Sequence, residues 1–287
     1  MLNDHESVYE RISSEYYSLT SSEKKVADYL LSRRQETQFL SISELARHCD
    51  VAEATVSRFC RRLGYSGYNA FKLAVANDSG RLSMDNDFLY GEVKKTDSPE
   101  VMSKKIYGAE IDALTQTLEL LDLNAVSRAA DMLEDARHVY CMGQGGSMLI
   151  AGEAWHLFAT VCNKFSYIVD SHLQVLTVAT AGPEDVIMFF SYSGSTVEMM
   201  QTMDVAKKRH VRIILVTRFA NSPGALRADI VLQCGSHENP LQSGSVPARI
   251  AQLYLLDVLY SEFTRRHLEK YHKVRTDIAD ALSEKHM

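Results

Sequence analysis

The chain has 287 residues, of which 46% are hydrophobic and 24% charged, and its formal net charge is −6. This is the composition of a globular protein long enough for two domains, and the charge argues against nucleic-acid or anionic-membrane binding over the whole surface while leaving room for a local basic patch. The five scattered cysteines exclude a disulfide framework and a cysteine zinc site, and a polar N-terminus without a long apolar run predicts a cytoplasmic protein with no membrane span.

The first 76 residues are predicted to form helices only. Two helix starts have the capping-box spacing, a hydroxyl residue followed three positions later by glutamate. They are Thr20 with Glu23, and Ser41 with Glu44. A further helix is expected over 53–63, where Gly64 follows in the position that favours a left-handed backbone.

The next segment, 77–97, is polar and has no sustained periodicity, which predicts a linker. Ser98 followed by Pro99 is typical of a helix start, because proline suits the first helical turn. A connecting helix is therefore expected over 98–121.

The remainder of the chain alternates apolar segments with amphipathic ones. This pattern predicts an α/β domain over 122–268, with a five-stranded parallel sheet flanked by helices. The strands are expected at 138–142, 165–169, 185–191, 212–217 and 229–234, and the helices between and after them at about 147–162, 172–181, 195–209 and 247–267. The last segment, 269–287, is polar and is expected to be a helix or a frayed tail.

Residues 41–72 have the pattern of a helix–turn–helix, and the second helix is the candidate DNA reader. From Ala54 to Lys72 there are four basic residues and no acidic one. Side chains that can reach bases or phosphates are expected on the outward face: Thr55, Ser57, Arg58, Arg61 and Arg62, with Lys72 beyond them. Arg58 has the geometry for a bidentate contact to guanine. A helical bundle with a solvated basic face has the same pattern, so the residues alone leave both interpretations open.

This segment, SISELARHCDVAEATVSRFCRRLGYSGYNAFK, resembles the N-terminal domain of the RpiR family of bacterial transcription regulators. The resemblance is clearest in ATVSRFCRRLGYSGYNAFK and implies a DNA-binding domain over 1–76 that reads a palindromic operator. The family commonly has serine where Ala52 stands. Loss of that hydroxyl cap is expected to cost the helix about 0.5–2 kcal/mol.

In the C-terminal half, a buried strand runs directly into small hydroxyl residues, the serine loop (residues 191–196). Ligands of parallel sheets bind beyond the carboxyl ends of the strands, and a helix N-terminus favours an anion. Ser191, Ser193 and Thr196 offer hydroxyl donors, and Gly194 lets the backbone approach a ligand. Because the loop has no lysine or arginine, it is expected to bind phosphate by hydrogen bonds more than by charge pairing.

A second loop, the glycine loop (residues 142–154), follows the first strand and places Ser147 at a helix start. A dinucleotide fingerprint would need glycine where Met148 stands, and the sequence has no P-loop motif. Helix caps alone would account for the serines of either loop, but less readily for both loops on one edge. Together they predict a pocket for a small phosphorylated ligand.

Four segments resemble the SIS (sugar isomerase) domain over 135–263: GQGGSMLIAGEAWHLF, SYSGSTVEMM, ILVTRFANSPGALRADIVLQC and SHENPLQSGSVPARIAQLYLLDVLY. The resemblance assigns to phosphate binding Gly146, Ser147, Ser191, Tyr192, Ser193, Gly194 and Thr196. Ser195 has a weaker role, because the family often has glutamate there. The two-domain architecture implies a regulator of carbohydrate metabolism genes whose operator affinity responds to a phosphorylated sugar or amino sugar. Repression relieved by the ligand is the commoner arrangement in the family.

The alternative is a sugar-phosphate isomerase with an accessory helical domain. Isomerisation needs a base, usually glutamate or histidine. Glu238 after the last strand and His172 after the second are candidates, although a sensor can use the same groups to bind sugar hydroxyls. The helix–turn–helix favours the sensor, so no catalytic residue is expected.

The histidines have no metal-binding spacing, and no metal or cofactor is expected. Helix–turn–helix proteins commonly read two-fold related half-sites as dimers. The SIS resemblance also implies paired domains, and the apolar segment 250–260 suits an interface or deep burial. A homodimer or homotetramer is therefore expected.

Overall fold

The structure is a computed structural model that describes residues 8–33, 37–82, 88–90, 93–235 and 245–283. The chain divides into two compact units, with the boundary between Gly108 and Ala109. Within the described ranges, no helix combines the length and the apolar character needed to cross a membrane.

The N-terminal unit starts with a helical bundle. Its helices are α1 (Val8–Glu15), α2 (Ser21–Ser32), α3 (Ile42–His48), α4 (Glu53–Arg62) and α5 (Tyr68–Leu82), with a short 3-10 turn at Tyr16–Ser18. Helix α4 packs against α2, α3 and α5. The rings of Phe59 on α4 and Phe71 on α5 are fully buried and meet edge to face, with their centroids 6.0 Å apart. Apolar burial of this kind is the main stabilising contribution to a small helical unit.

The predicted ends of these helices are confirmed. Both capping boxes form, so that Glu23 accepts a hydrogen bond from the Thr20 N–H at 2.9 Å and Glu44 accepts one from the Ser41 N–H at 2.9 Å. Gly64 has a φ of +86° directly after the C-cap of α4. The Gly64 N–H donates to the carbonyl of Arg61, and the Tyr65 N–H donates to that of Cys60, each at 3.0 Å, which is the Schellman arrangement.

The chain after residue 76 is more regular than the linker that its polar sequence predicts. Helix α5 continues to Leu82, because Ala76 is buried and Asp78 accepts a hydrogen bond from the Val8 N–H. Strands β1 (Phe88–Tyr90) and β2 (Val93–Lys94) then pair antiparallel. Two or three residues per strand are too few for their pairing to appear as a periodic pattern.

The boundary between the units lies within helix α6 (Pro99–Leu120). Its predicted start is confirmed, since the Ser98 hydroxyl accepts a hydrogen bond from the Val101 N–H at 3.3 Å. The C-terminal unit continues with α7 (Leu123–Asp135), β3 (Val139–Gly143), α8 (Gly146–Ala159), β4 (Phe165–Ile168), α9 (Ser171–Thr180), β5 (Val186–Phe190), α10 (Val197–Lys208), β6 (Arg212–Thr217), β7 (Ile230–Gln233), α11 (Val246–Arg265) and α12 (Leu268–Ser283).

The five predicted strands form one parallel sheet in the order β4-β3-β5-β6-β7. Side chains alternate across β5, so Met188 and Phe190 pack with α7, α8 and α11, whereas Ile187 and Phe189 pack with α9 and α10. The connections reverse direction between β3 and β5, and such a reversal opens a crevice at the carboxyl edge where ligands of α/β sheets bind. Gly143 pairs with Phe190 at this edge.

The C-terminal segment forms a docked helix, α12. Tyr271 is 2% exposed, stacks on Phe263 with centroids 5.1 Å apart, and donates a hydrogen bond to Glu134. Just before α12, Arg266 donates to the hydroxyl of Ser127 at 2.6 Å. The helix over 268–283 is therefore fastened to α7 and α11. The apolar segment 250–260 of α11 also contributes to the core of this unit, since Leu255 and Leu259 are each 1% exposed.

Candidate functional site

The candidate DNA-reading helix, α4, has a basic outward face. Arg58 and Arg61 are exposed, Ser57 is partly buried, and Lys72 is partly buried on α5. The Arg58 guanidinium donates to the Thr55 hydroxyl at 3.3 Å, which restricts the directions in which it projects. Helix α4 begins at Glu53 without a side-chain cap, as the alanine at position 52 requires.

The prediction that Thr55 lies on the outward face is wrong. Thr55 is only 6% exposed, because it occupies the first turn of α4, where that helix packs against α2 and α3. Its hydroxyl accepts the hydrogen bond from Arg58. In this structure Thr55 orients a basic side chain.

Arg62 forms an ion pair with Glu23 of helix α2 at 3.1 Å. The Glu23 side chain is 8% exposed. Burial alone would raise the pKa of Glu23, but hydrogen bonds from Thr20 and the charge of Arg62 outweigh it and hold this pKa below its ordinary value. Arg62 is exposed, and its ion pair also holds α4 against α2.

The serine loop is folded by its own hydroxyl groups. Ser191 follows β5, and its N–H donates to the carbonyl of Val216 at 3.0 Å. The Ser191 hydroxyl accepts from the Gly194 N–H at 3.2 Å and lies 3.5 Å from the hydroxyl of Thr196. The Ser193 hydroxyl accepts from the Ser195 N–H at 3.3 Å. The Ser191 and Thr196 hydroxyls thus lie side by side at the start of helix α10.

Helix α10 starts directly behind these hydroxyls, with Thr196 as its N-cap. The Thr196 hydroxyl makes no capping hydrogen bond with the described backbone of the helix. The first N–H groups of any helix lack partners within the helix, and they carry a partial positive charge. Ser191, Thr196 and this helix end therefore form a set of donors that an anion can use.

The ring and the carbonyl of Tyr192 both contact residues at the end of β6 or just after it. Its ring meets Phe219 edge to face at 5.7 Å, and its carbonyl accepts from the Arg218 N–H at 3.1 Å and the Thr217 hydroxyl at 3.0 Å. These contacts tie the serine loop to the end of β6.

The glycine loop lies at the same edge of the sheet. Gly145 is the N-cap of α8 with a φ of +55°, so Gly146 and the partly buried Ser147 form the first turn of that helix. Gly143 and Phe190 are in register, which brings the ends of both strands, and the loops that follow them, together.

Two glutamines that the sequence analysis missed join this loop to helix α9. The fully buried Gln174 donates to the carbonyls of Gly143 at 3.3 Å and Ile168 at 2.9 Å, and accepts from Gln144 at 2.7 Å. The sequence contains one indication of this contact, a glutamine among the apolar positions of α9. A buried amide needs hydrogen-bond partners.

Of the remaining predicted residues, His172 is exposed in the first turn of α9, just after the N-cap Asp170. Glu238 lies outside the described residues. Within the part of the chain that the structure describes, no group of three or more histidine, cysteine, aspartate or glutamate side chains is arranged to hold a metal ion.

Comparison with known proteins identifies both units. Residues 6–81 match the helix-turn-helix domain of the rpiR family, and residues 132–262 match the SIS domain. The chain is 32% identical to the HTH-type transcriptional regulator HexR of Pseudomonas aeruginosa over 257 residues, which cover 90% of this chain and 89% of that protein. It is 29% identical to HexR of Escherichia coli over 275 residues, covering 96% of this chain and 94% of the relative.

The fold is also similar to a solved structure of the Vibrio vulnificus NanR protein complexed with ManNAc-6P. The TM-score is 0.86 at 25% sequence identity, and the match covers 97% of this chain and 99% of the NanR chain. These comparisons confirm the predicted pairing of a helix-turn-helix domain with a SIS domain. The chain belongs to the RpiR family of HTH-type transcriptional regulators, with a DNA-binding helix-turn-helix domain followed by a SIS domain.

Proposed function

We propose that this regulator binds a phosphorylated sugar or amino sugar at the carboxyl edge of its sheet, and that the ligand changes its affinity for operator DNA. The observation that carries the proposal is the start of α10, where the hydroxyls of Ser191 and Thr196 lie 3.5 Å apart in front of an N-terminus that the Thr196 side chain does not cap. NanR, solved with a sugar phosphate, has a similar fold, which supports the choice of ligand class.

The phosphate is held by hydrogen bonds from the serine loop and the first turn of α10, together with Gly146 and Ser147 of the glycine loop. A hydrogen bond to a charged group contributes about 1.5–3 kcal/mol, so three or four of them suffice for binding without a cation in the loop. Among the sugar's neighbours we include His172 and Glu238, with Tyr192 and Ser195 contributing mainly through the loop backbone.

The ligand acts as an effector of a repressor that controls carbohydrate metabolism genes. Binding at the serine loop and binding at operator DNA are linked, and a typical coupling is about 1–3 kcal/mol, or roughly 5- to 150-fold in affinity. We propose that the effector lowers operator affinity. The regulator reads a palindromic operator as a homodimer or homotetramer, since helix–turn–helix proteins commonly pair on two-fold related half-sites.

We also propose that the SIS domain senses its ligand without converting it. Support comes from the names of full-length relatives, which are transcriptional regulators. An assay for aldose–ketose conversion of the bound sugar phosphate tests this. Turnover that disappears on substitution of His172 or Glu238 would identify an isomerase instead.

A thermal-shift screen tests the binding site. Hexose 6-phosphates and N-acetylhexosamine 6-phosphates are compared with inorganic phosphate, using the wild type and the variants Ser193→Ala and Thr196→Ala. The control is Thr180→Ala, which removes an exposed hydroxyl from the last turn of α9. We expect the stabilising ligand to act on the wild type and the control, and to bind each serine-loop variant about tenfold more weakly or worse. Wild-type affinity in both variants would rule out this phosphate site.

Operator binding tests the regulatory part. A DNA site is selected from random sequence, and its affinity is titrated with and without the sugar phosphate identified in the screen. We expect a decrease of at least about fivefold when the sugar phosphate is present. An unchanged affinity would contradict the proposed linkage, and an increase would reverse its sign.

A further inference from the structure

Gln144 is the first residue after β3 and stands beside the serine loop. Gly143 pairs with Phe190 at the ends of their strands, and neighbouring strands in a sheet lie about 4.8 Å apart. Strands β3 and β5 end at paired residues, so the residues that follow them, Gln144 and Ser191, are neighbours at the carboxyl edge of the sheet. Any ligand held by the Ser191 and Thr196 hydroxyls therefore has Gln144 close to it.

The orientation of the Gln144 amide follows from its partners. The Gln174 amide nitrogen donates to two backbone carbonyls, those of Gly143 and Ile168, which can only accept. The Gln174 oxygen must therefore face away from these carbonyls. It accepts a hydrogen bond from the amide nitrogen of Gln144 at 2.7 Å. Because two oxygens cannot hydrogen-bond without a proton between them, the Gln144 oxygen, Oε1, has to point away from Gln174.

The Gln144 Oε1 atom is enclosed, and no donor in the described part of the chain reaches it. Buried side-chain oxygens in native proteins nearly always accept a hydrogen bond. The rest of Gln144 is partly exposed, and the following Gly145 has open space around its Cβ position. Contact with a bound molecule requires a shift of this loop that exposes the acceptor.

We propose that Gln144 is a specificity-determining residue, whose Oε1 accepts a hydrogen bond from a hydroxyl or N–H group on the carbon skeleton of the sugar phosphate. This inference rests on the proposed function of the serine loop. Gln174 is the positioning residue, since it fixes the Gln144 amide in the orientation that presents the oxygen.

The chemistry of the acceptor limits the ligand. A carbon that carries a hydroxyl or an acylamino group supplies the required proton, whereas a deoxy carbon, a keto oxygen or a carboxylate at the same position does not. Sites that hydrogen-bond a polar group discriminate strongly against analogues that lack it, because their own polar atom is then left unpaired. The regulator is thus selective for a sugar phosphate with a donor at one particular carbon.

The test compares ligand discrimination in Gln144→Leu with that in the wild type and in Gln201→Leu. The Leu variant at 144 keeps the size of the side chain but removes its hydrogen-bonding groups, and Gln201 is an exposed matched control on α10. The probes are inorganic phosphate, the sugar phosphate that stabilises the protein most among hexose 6-phosphates and N-acetylhexosamine 6-phosphates, and the monodeoxy analogues of that sugar phosphate. Dissociation constants are measured by calorimetry.

We expect one monodeoxy analogue to bind the wild type and Gln201→Leu at least about tenfold more weakly than the parent sugar phosphate, which is about 1.4 kcal/mol. In Gln144→Leu this difference falls below about twofold, while inorganic phosphate binds all three proteins equally. If Gln144→Leu does not fold, Gln144→Asn replaces it, because the shorter side chain withdraws the acceptor and should lose the same discrimination.

Two results would overturn the inference. One is that Gln144→Leu discriminates against every monodeoxy analogue as strongly as the wild type does. The other is an equal loss of inorganic phosphate binding, which would mean that the substitution damages the loop. These results differ from a failure of the proposed function, in which no sugar phosphate stabilises the wild type at all; that outcome would remove this inference as well.

Discussion

A Cβ atom on Gly194 would lie 2.6 Å from the Cβ atom of Ser222, which is completely buried. Gly194 also has a φ of +59°, a conformation that side chains disfavour, and its carbonyl accepts a hydrogen bond from the Gly224 N–H at 2.8 Å. Backbone conformation and packing therefore both require glycine in the middle of the serine loop.

Gly194→Ala is expected to destabilise the C-terminal unit and to abolish sugar phosphate binding. The left-handed backbone alone costs an alanine about 1–2 kcal/mol, and the clash with Ser222 adds to this. Urea unfolding followed by the fluorescence of Trp155, the one tryptophan of the chain, measures the change in that unit. Gly182→Ala is the control, because nothing lies within 4 Å of its Cβ position. Equal stability of the two variants would contradict this account of the loop.

Arg58→Ala and Lys72→Ala are expected to affect operator binding differently. Loss of a bidentate contact from Arg58 to guanine reduces discrimination against mismatched sites by about 1–3 kcal/mol. Loss of a phosphate contact from Lys72 weakens all sequences similarly and lowers the slope of log affinity against log salt by about 0.9. Titrations of matched and mismatched DNA at several salt concentrations separate the two effects. If Arg58→Ala weakened every sequence equally, Arg58 would be a phosphate contact.

The pKa of Glu23, lowered against its burial by hydrogen bonds from Thr20 and by the ion pair with Arg62, predicts that the N-terminal unit loses stability in acid. Because the pKa of Glu23 is lower in the folded than in the unfolded chain, ionised Glu23 stabilises the fold above its ordinary pKa of 4.5. That contribution is lost as the pH falls through the lowered folded value.

Arg62→Ala should weaken this pH dependence, since it removes a charge that lowers the pKa of Glu23. Unfolding monitored by circular dichroism at neutral pH and at about pH 4 measures the effect. Arg61→Ala, on the exposed side of the same helix, is the control and should leave the pH dependence of the wild type intact. A pH dependence unaltered by Arg62→Ala would mean that Arg62 does not contribute to the lowered pKa of Glu23.

Tyr271 is expected to anchor helix α12. Tyr271→Phe removes the hydrogen bond to Glu134 but keeps the stack on Phe263, and should cost about 1 kcal/mol. Tyr271→Ala also removes the buried ring and should cost about 3–5 kcal/mol. Urea unfolding followed through Trp155 measures both, with the exposed Lys273→Ala as control. If Tyr271→Phe, Tyr271→Ala and Lys273→Ala were equally stable, α12 would contribute little to the stability of the C-terminal unit.

Features that depend on neighbouring residues were predictable from the sequence. The capping box of Thr20 and Glu23, the left-handed Gly64 and the start of α6 after Ser98 each involve residues within a few positions of one another. Strand β5 was also predictable, because a strand buried on both faces is an uninterrupted apolar run. The position of the serine loop follows from the same rule, since it begins where such a run ends.

Tertiary structure decided which polar side chains meet. Glu23 and Arg62 are 39 residues apart, Gln144 and Gln174 are 30 apart, and Glu134 and Tyr271 are 137 apart. A periodic pattern shows which face of a helix is apolar, but it does not show which other element covers that face. For this reason Thr55 was assigned to the surface and the two glutamines were missed. Thr55 is buried only once α4 packs on α2 and α3, and the partners of Gln174 exist only once α9 packs beneath the ends of β3 and β4.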